Sequence, residues 1–126
     1  MKKAILLKSN LSVELVDFVE DSLEFYYKHI ECNLIDIVRP YNLESLGYEF
    51  KKHKFILIVD DEGLLKNNFK INLHASLAYG DGLAGHVLVC KEEYTDNGII
   101  TVGLTEEDVD IFNKGMSKLV DKLIDK

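Results

Sequence analysis

Three glycines are the first residues whose spacing suggests chemistry. Gly80, Gly82 and Gly85 form a G-x-G-x-x-G pattern, the spacing of a dinucleotide-binding turn. Such a turn must leave a strand and open a helix, because the pyrophosphate lies at the amide end of the helix. Here the glycines precede "HVLVC", a β-branched apolar run typical of a strand. The sequence therefore predicts a tight turn followed by a strand, and we expect no nucleotide site.

Histidine, cysteine and carboxylate residues raise two hypotheses about metals. On a strand, His86 and Cys90 would lie about 13 Å apart at about 3.3 Å per residue, too far to share one zinc ion. The acidic run at residues 60–62 follows a strong strand and could hold magnesium. Gly63 comes directly after it and favours a solvated turn instead. We expect no metal and no other cofactor.

The segment from Asn72 to Tyr79 contains the candidate binding residues. Asn72, His74, Ser76 and Tyr79 offer hydrogen-bond donors, acceptors and an aromatic face in the least regular part of the chain. His74 and Ser76 do not indicate a hydrolase, because the sequence has no G-x-S-x-G elbow. We expect no catalytic residues. The alternative interpretation is that these four residues simply close a loop.

The run KKHK at residues 51–54 is the one basic cluster. Between Phe50 and Phe55 it could contact nucleic acid, but it has no arginine and no stacking pattern, so a solvated edge is favoured. The whole chain has 15 Lys and Arg against 22 Asp and Glu, a net charge of −7. This balance opposes binding to nucleic acid or anionic lipid. A net charge of −7 is explained by solubility, and the alternative is that the chain is an acidic mimic of nucleic acid.

Strand patterns dominate the chain. "KKAILLK" and "SVELVDFV" predict a hairpin, and further strands are predicted in "NLIDIVRPY", "FILIVDDEG", "GLLK", "GHVLVCKEEY" and "IITVGL". Asn97-Gly98 predicts a two-residue hairpin turn before the last of them.

Two helices are predicted. Asp21 and Glu24 suggest a capping box for the first, and Thr105 and Asp108 for the second. The second helix carries an apolar stripe: Val109, Phe112, Met116, Leu119 and Leu123. Gly115 inside this helix costs about 1 kcal/mol relative to alanine.

These patterns define the expected fold. Tight turns, not helical crossovers, join most strands, so the sequence predicts an α+β fold. We expect a mostly antiparallel sheet with two helices packed on it, as a single pair of layers. The 126 residues suit one domain, residues 1–126.

The two cysteines and the start of the chain indicate the compartment. Cys32 and Cys90 are too few for a disulfide framework, which favours free thiols in a reducing cytoplasm. The opening "MKKAILLKSN" lacks the apolar length of a signal peptide, and no run reaches membrane-spanning length. We expect a cytoplasmic protein with no membrane partner.

Three segments together resemble the family called domain of unknown function 3846: "VDDEGLLKNNFKINLHASLAYG", "GLAGHVLVC" and "GLTEEDV". The opening hairpin, helix and strand fit the beginning of the same family. The resemblance implies a small protein of bacteria, phages or mobile elements, with no activity attached. It also matches five positions to a recurring loop of the family: Asn72, Ala75, Ser76, Tyr79 and Gly80. Residues 70–71 depart from that loop, because Lys-Ile stands where the family pattern has a proline.

The combined expectation is a binding protein and not an enzyme. We expect a phage or mobile-element accessory protein that binds a protein partner, with a homodimer as a further outcome. The alternative is a small-molecule-binding protein or modest enzyme that uses residues 72–79. A third hypothesis is a nucleic-acid contact through Lys51, Lys52 and Lys54.

Overall fold

The computed structural model describes residues 2–125 and shows an α+β fold. Its strands are β1 (Lys3–Leu7), β2 (Val13–Asp17), β3 (Ile35–Val38), β4 (Phe55–Asp60), β5 (Val87–Thr95) and β6 (Gly98–Val102). Its helices are α1 (Leu23–Ile30), α2 (Tyr41–Glu44), α3 (Tyr48–Lys51), α4 (Leu73–Tyr79) and α5 (Glu106–Ile124).

The strands form one six-stranded sheet in which every pairing is antiparallel. The order is β2-β1-β5-β4-β3, and β6 pairs with the second half of β5. The prediction of a mostly antiparallel sheet is confirmed. β2 and β3, which are distant in the chain, form the two outer edges.

Helices cover both faces of the sheet. In β4, Phe55, Leu57 and Val59 belong to the core cluster that includes α2 to α5, whereas Ile56 and Ile58 pack with α1. The expectation of two helices in a single pair of layers is not confirmed, because residues 2–125 contain five helices on two faces. The unbroken apolar run "FILIV" is typical of a strand buried on both faces.

Several local predictions are confirmed and others are wrong. The hairpins β1–β2 and β5–β6 are present, and Thr105 and Asp108 form the predicted capping box of α5. The first helix is capped by Ser22, whose Oγ accepts a hydrogen bond from the Phe25 N–H at 3.0 Å, and not by Asp21. The predicted strand "GLLK" is wrong, because Gly63–Leu65 forms a 3-10 turn.

Gly115 lies where α5 comes closest to the short helices α2 and α3. A Cβ atom at this position would collide with Leu43 Cδ1 and would crowd the ring of Phe50 at 3.0 Å. Leu43 and Phe50 are both buried. The glycine therefore lets α5 pack against α2 and α3, which compensates for its low helix propensity.

Candidate functional site

β2 is an edge strand whose outward side is open within residues 2–125. Leu7 of β1 lies opposite Val13, and two residues earlier Ile5 lies opposite Leu15. Opposed residues of an antiparallel pair point to the same face. Ile5 and Leu7 belong to the core cluster on the α5 face. Val13 and Leu15 therefore point to that face as well, where they stay 50% and 55% exposed.

α5 changes character along its length. Its first half buries Phe112, which is 1% exposed, and Leu119 is still 3% exposed. Beside and beyond Leu119 the apolar side chains are open, since the adjacent Val120 is 38% exposed and Leu123, one turn later, is 57% exposed. The helix is amphipathic throughout, but at its second end the apolar face extends beyond the sheet that it packs against.

Two adjoining depressions lie beside these surfaces, with volumes of about 400 Å³ and about 590 Å³. They share His74 and Val120, and we call them together the β2–α5 groove. Its apolar lining consists of Leu7, Leu11, Val13, Leu73, Leu77, Phe112, Met116, Val120 and Leu123. Its polar lining consists of Asn42, His74, Ser76, Asp81, Asn113, Ser117 and Asp121. The groove is mainly apolar and is formed by β1, β2, α2, α4, α5 and their flanking residues.

His74 is the predicted site residue that lies at the centre of the groove. It occupies the first turn of α4 and borders both depressions. Its Nδ1 is buried and has no hydrogen-bond partner. Every other buried side-chain nitrogen or oxygen in the described part of the chain has a partner. A buried polar atom without a partner costs about 1–3 kcal/mol, so this nitrogen calls for a functional or packing explanation.

Asn72 has a structural position. It is fully buried and caps α4, since its Oδ1 accepts a hydrogen bond from the Ala75 N–H at 3.0 Å. Its Nδ2 donates to the carbonyls of Leu7 and Gly85, each at 2.8 Å. The side chain thereby joins α4 to β1 and to the segment before β5. These bonds occupy the amide oxygen and both amide hydrogens.

Ser76 and Tyr79 lie apart from each other. The Ser76 Oγ accepts from the Leu83 N–H at 2.8 Å and donates to the Leu83 carbonyl at 3.2 Å, which fastens the turn after α4. Tyr79 packs near Tyr41, with ring centroids 6.0 Å apart, and borders a separate depression of about 320 Å³. Of the four predicted residues, His74 and Ser76 border the β2–α5 groove and Tyr79 does not. Whether any of them binds a ligand stays a prediction.

Most residues of the groove were not predicted from the sequence. Leu123 was assigned to a uniform apolar stripe, and Val13 and Leu15 were assigned only to a hairpin. The available signal was the length of α5, because its stripe extends past the residues needed to cover a short sheet. The second signal, that β2 is an edge strand, depends on pairings between distant parts of the chain.

A cluster around Asp108 fixes the first end of α5. Asp108 is 2% exposed, and its carboxylate accepts hydrogen bonds from His53 Nδ1 and Lys91 Nζ, each at 2.7 Å, and from the Thr105 N–H at 2.8 Å. Burial tends to raise the pKa of Asp108. The hydrogen bonds from Lys91, Thr105 and His53 outweigh burial and hold this pKa at about 2. The carboxylate therefore stays ionised and ties α5 to β5 and to the residues before β4.

Part of the basic run KKHK serves this internal structure. His53 pairs with Asp108 and stacks on Phe55, with ring centroids 5.5 Å apart. The Lys54 ammonium lies 3.7 Å from the centroid of the Tyr94 ring, a cation–π contact. Of the three lysines in the third hypothesis, Lys51 and Lys52 are therefore exposed, and Lys54 is engaged with Tyr94.

The glycine pattern does not precede a helix. Gly80 ends α4 with φ of +99°, Gly85 has φ of +85°, and β5 begins at Val87. The prediction of a turn followed by a strand is confirmed. A phosphate-binding helix N-terminus is therefore not formed there.

The acidic run at residues 60–62 is not simply a solvated turn. Asp60 is 8% exposed; its carboxylate accepts from Lys66 Nζ at 2.5 Å and from the Glu62 N–H at 2.9 Å. Across residues 2–125, no group of three or more His, Cys, Asp or Glu side chains is arranged to hold a metal ion.

Cys32 and Cys90 are buried. Both are free thiols, as predicted from the sequence. Burial raises the pKa of Cys90 to about 12 and also raises the pKa of Cys32. A thiol with a raised pKa carries little thiolate at neutral pH, so burial disfavours nucleophilic reaction of both cysteines in the folded chain.

The fold and groove define a small α+β protein with an antiparallel sheet, helices on both faces and an open apolar groove. The family model described as Domain of unknown function (DUF3846) matches residues 1–117. The chain belongs to this family. No curated protein and no solved structure matches it. Over the described residues, every helix is too short or too polar to cross a membrane.

Proposed function

We propose that this chain is a small binding protein that holds a partner protein in the β2–α5 groove. One observation carries the proposal: apolar side chains from three separate elements are open to solvent along the same groove. Val13 is 50% exposed, Leu73 59% and Leu123 57%. Contiguous exposed apolar surface on a soluble protein marks an interaction site more often than scattered apolar residues do.

The groove is supported by fixed structure, which favours binding. Leu7 and Phe112 form part of its floor and are 2% and 1% exposed. The Asp108 cluster holds α5 at one end, and Asn72 holds α4 to β1. A surface that needs no reordering loses less conformational entropy when a partner binds.

The biological setting belongs to the same proposal. The family resemblance supports an accessory protein of a phage or mobile element, and the two buried free thiols support a reducing cytoplasm. In that setting the chain acts by occupying a surface of another protein. A surface of mixed charge with a net charge of −7 supports solubility at high expression.

The experiment is a selection of displayed random peptides on the immobilised full chain. We expect enrichment of related peptides whose affinity, measured by calorimetry, falls at least about ten-fold in the variant Leu123→Asp, since a charge in the groove opposes apolar contact. The matched control is Leu65→Asp. Leu65 is 81% exposed and lies in the 3-10 turn outside the groove.

Two results would contradict the proposal. One is a selection that enriches no related peptides. The other is an enriched family that binds wild type and Leu123→Asp with equal affinity. Circular dichroism checks that both variants remain folded, which we expect for substitutions at exposed positions.

A small-molecule-binding protein is the second candidate, favoured by His74. Its Nδ1 has no partner, and the depression of about 400 Å³ beside it falls within the size range of ligand sites. Ligand-observed NMR with a fragment library tests this function. Fragments that carry a hydrogen-bond donor should bind the wild-type chain and lose affinity in His74→Leu. Binding unchanged by that substitution would remove His74 as the ligand contact.

A further inference from the structure

The hydrogen bonds at the two ends of β2 show which of its backbone groups face the solvent. The Phe18 N–H donates to the Lys2 carbonyl at 3.1 Å, and the Lys8 N–H donates to the Ser12 carbonyl at 2.9 Å. Hydrogen-bonded pairs alternate along an antiparallel ladder. The even-numbered residues of β2 therefore bond to β1. The odd-numbered residues direct their N–H and C=O groups away from the sheet.

The same odd-numbered residues point to the α5 face. Val13 and Leu15 lie opposite buried residues of that face, and Val13 borders the groove, while the backbone groups of both residues point outward. A strand that pairs with β2 would form backbone hydrogen bonds with these groups. Every second side chain of that strand would lie over the groove.

The opposite edge of the sheet has an occupied outward donor, which β2 lacks. There the Asp61 N–H donates to the Leu34 carbonyl at 3.0 Å, so by the same alternation Ile37 directs its N–H outward. That N–H donates to Asp36 Oδ1 at 2.8 Å. A side chain thus occupies one outward donor of β3. No described side chain forms such a bond with Val13, Leu15 or Asp17.

The helical side of the groove is acidic. Asp110 and Asp121 lie on the side of α5 that carries Asn113 and Ser117, because these positions repeat at helical spacing. Neither carboxylate has an ion-pair partner among residues 2–125.

Two lysines of α5 contact residues of α3. Lys114 pairs with Glu49 at 2.9 Å, and the Lys118 ammonium lies 5.5 Å from the centroid of the Phe50 ring, on the side of α3. The groove therefore presents an apolar floor with uncompensated negative charge beside it. Lysine and arginine in a partner would complement that charge.

We infer that the occupant of the groove is an extended segment of a partner protein that adds to β2 as a further strand. The segment alternates apolar residues, which lie over the groove, with other residues, and it carries lysine or arginine where it passes α5. The inference rests on the proposed function and names the partner's chemistry. It differs from a helix in the groove, which would use side chains alone and leave the β2 backbone unpaired.

The peptide selection described above tests the inference through the pattern of the enriched peptides. Apolar residues at i, i+2 and i+4, accompanied by lysine or arginine, are expected. Apolar residues at i, i+3, i+4 and i+7 would overturn the strand and leave the proposed function standing. Failure to enrich any peptide family would instead remove the proposed function itself. The two failures are thus distinguishable.

Backbone methylation provides the second test and leaves the protein unchanged. In the peptide of highest affinity, each backbone amide is N-methylated in turn. Methylation is expected to weaken binding about ten-fold at every amide that faces β2 and to have little effect at the amides between them. An equal effect at all positions would overturn the inference, because a side-chain-only mode has no such alternation.

A substitution in the protein tests the role of the negative charge beside the groove. Asp121→Lys should weaken the basic peptide several-fold at low salt and less at high salt, since screening reduces the loss. Asp96→Lys is the control with the same charge change in the exposed β5–β6 turn. Equal loss in both variants would overturn the specific role of the groove. Sedimentation of the chain alone completes the test, because a stable dimer that the peptide dissociates would identify a second copy as the occupant.

Discussion

The two ends of α5 differ in how their side chains contact the rest of the chain. At the first end, Thr105 and Asp108 form a capping box, and Asp108 also accepts hydrogen bonds from His53 and Lys91. At the second end, the helix carries exposed apolar side chains such as Leu123, which is 57% exposed. One end uses its polar groups to fix the helix on the sheet, and the other leaves apolar surface without an internal partner.

This difference separates residues that stabilise the fold from residues available for binding. A buried carboxylate with several donors is costly to disturb, because removal of one partner leaves the others unsatisfied. An exposed leucine contributes little to folding because it remains in water. The same helix should therefore show large stability effects at its first end and binding effects at its second.

The largest expected effect is that of Asp108→Ala. It removes the acceptor for His53 and Lys91 and half of the capping box, so the free energy of unfolding should fall by about 3–5 kcal/mol. Urea denaturation followed by circular dichroism measures the change. Asp108→Asn, which keeps one acceptor oxygen, should lose less. A change below about 1 kcal/mol in Asp108→Ala would show that the cluster does not fix the helix.

A matched pair of leucines compares the two ends more closely. Leu119 is 3% exposed and Leu123, one turn later, is 57% exposed. Leu119→Ala should cost about 2–5 kcal/mol in unfolding free energy, whereas Leu123→Ala should change it by less than about 0.5 kcal/mol. Thermal and urea unfolding measure both. Similar losses in the two variants would mean that Leu123 packs internally, which contradicts an open groove.

The smallest effect is a pH dependence at the first end of α5. The pKa of Asp108 is lowered from 3.8 to about 2, so its ionised form stabilises the fold. That contribution is fully present above the unfolded pKa and is lost as pH falls from about 4 towards about 2. Urea unfolding of the wild type and of Asp108→Asn across this range measures it. Their difference in stability should shrink as pH falls, and a constant difference would contradict the assignment.

Much of the fold follows from short stretches of sequence. Asn97-Gly98 predicts the β5–β6 hairpin, which is present. The two turn residues, however, are Asp96 and Asn97, and Gly98, with φ of +118°, pairs with Thr95 at the start of β6. Thr105 and Asp108 predict the start of α5 from local residues alone. α2 and α3 were not predicted as helices, because each is only four residues long and is held by packing against α4 and α5.

The candidate site was less accessible to sequence reasoning. The segment of Asn72 and Ser76 was expected to be irregular, but Leu73–Tyr79 forms the helix α4. The hydrogen bonds of the Asn72 and Ser76 side chains go to Leu7, Gly85 and Leu83. The groove depends on which strand lies at the sheet edge and on where α5 extends past the sheet that it packs against. Both are set by contacts between distant residues, which hydrophobic periodicity does not encode.

The thiol of Cys90 can report global unfolding of the chain. It lies on β5, which pairs with β1, β4 and β6, and it is fully buried. A thiol reagent reaches such a sulfur only after the strands around it separate, so modification of Cys90 proceeds through rare, extensive unfolding and not through local breathing. The chain thus contains an internal chemical reporter of the lifetime of its native state.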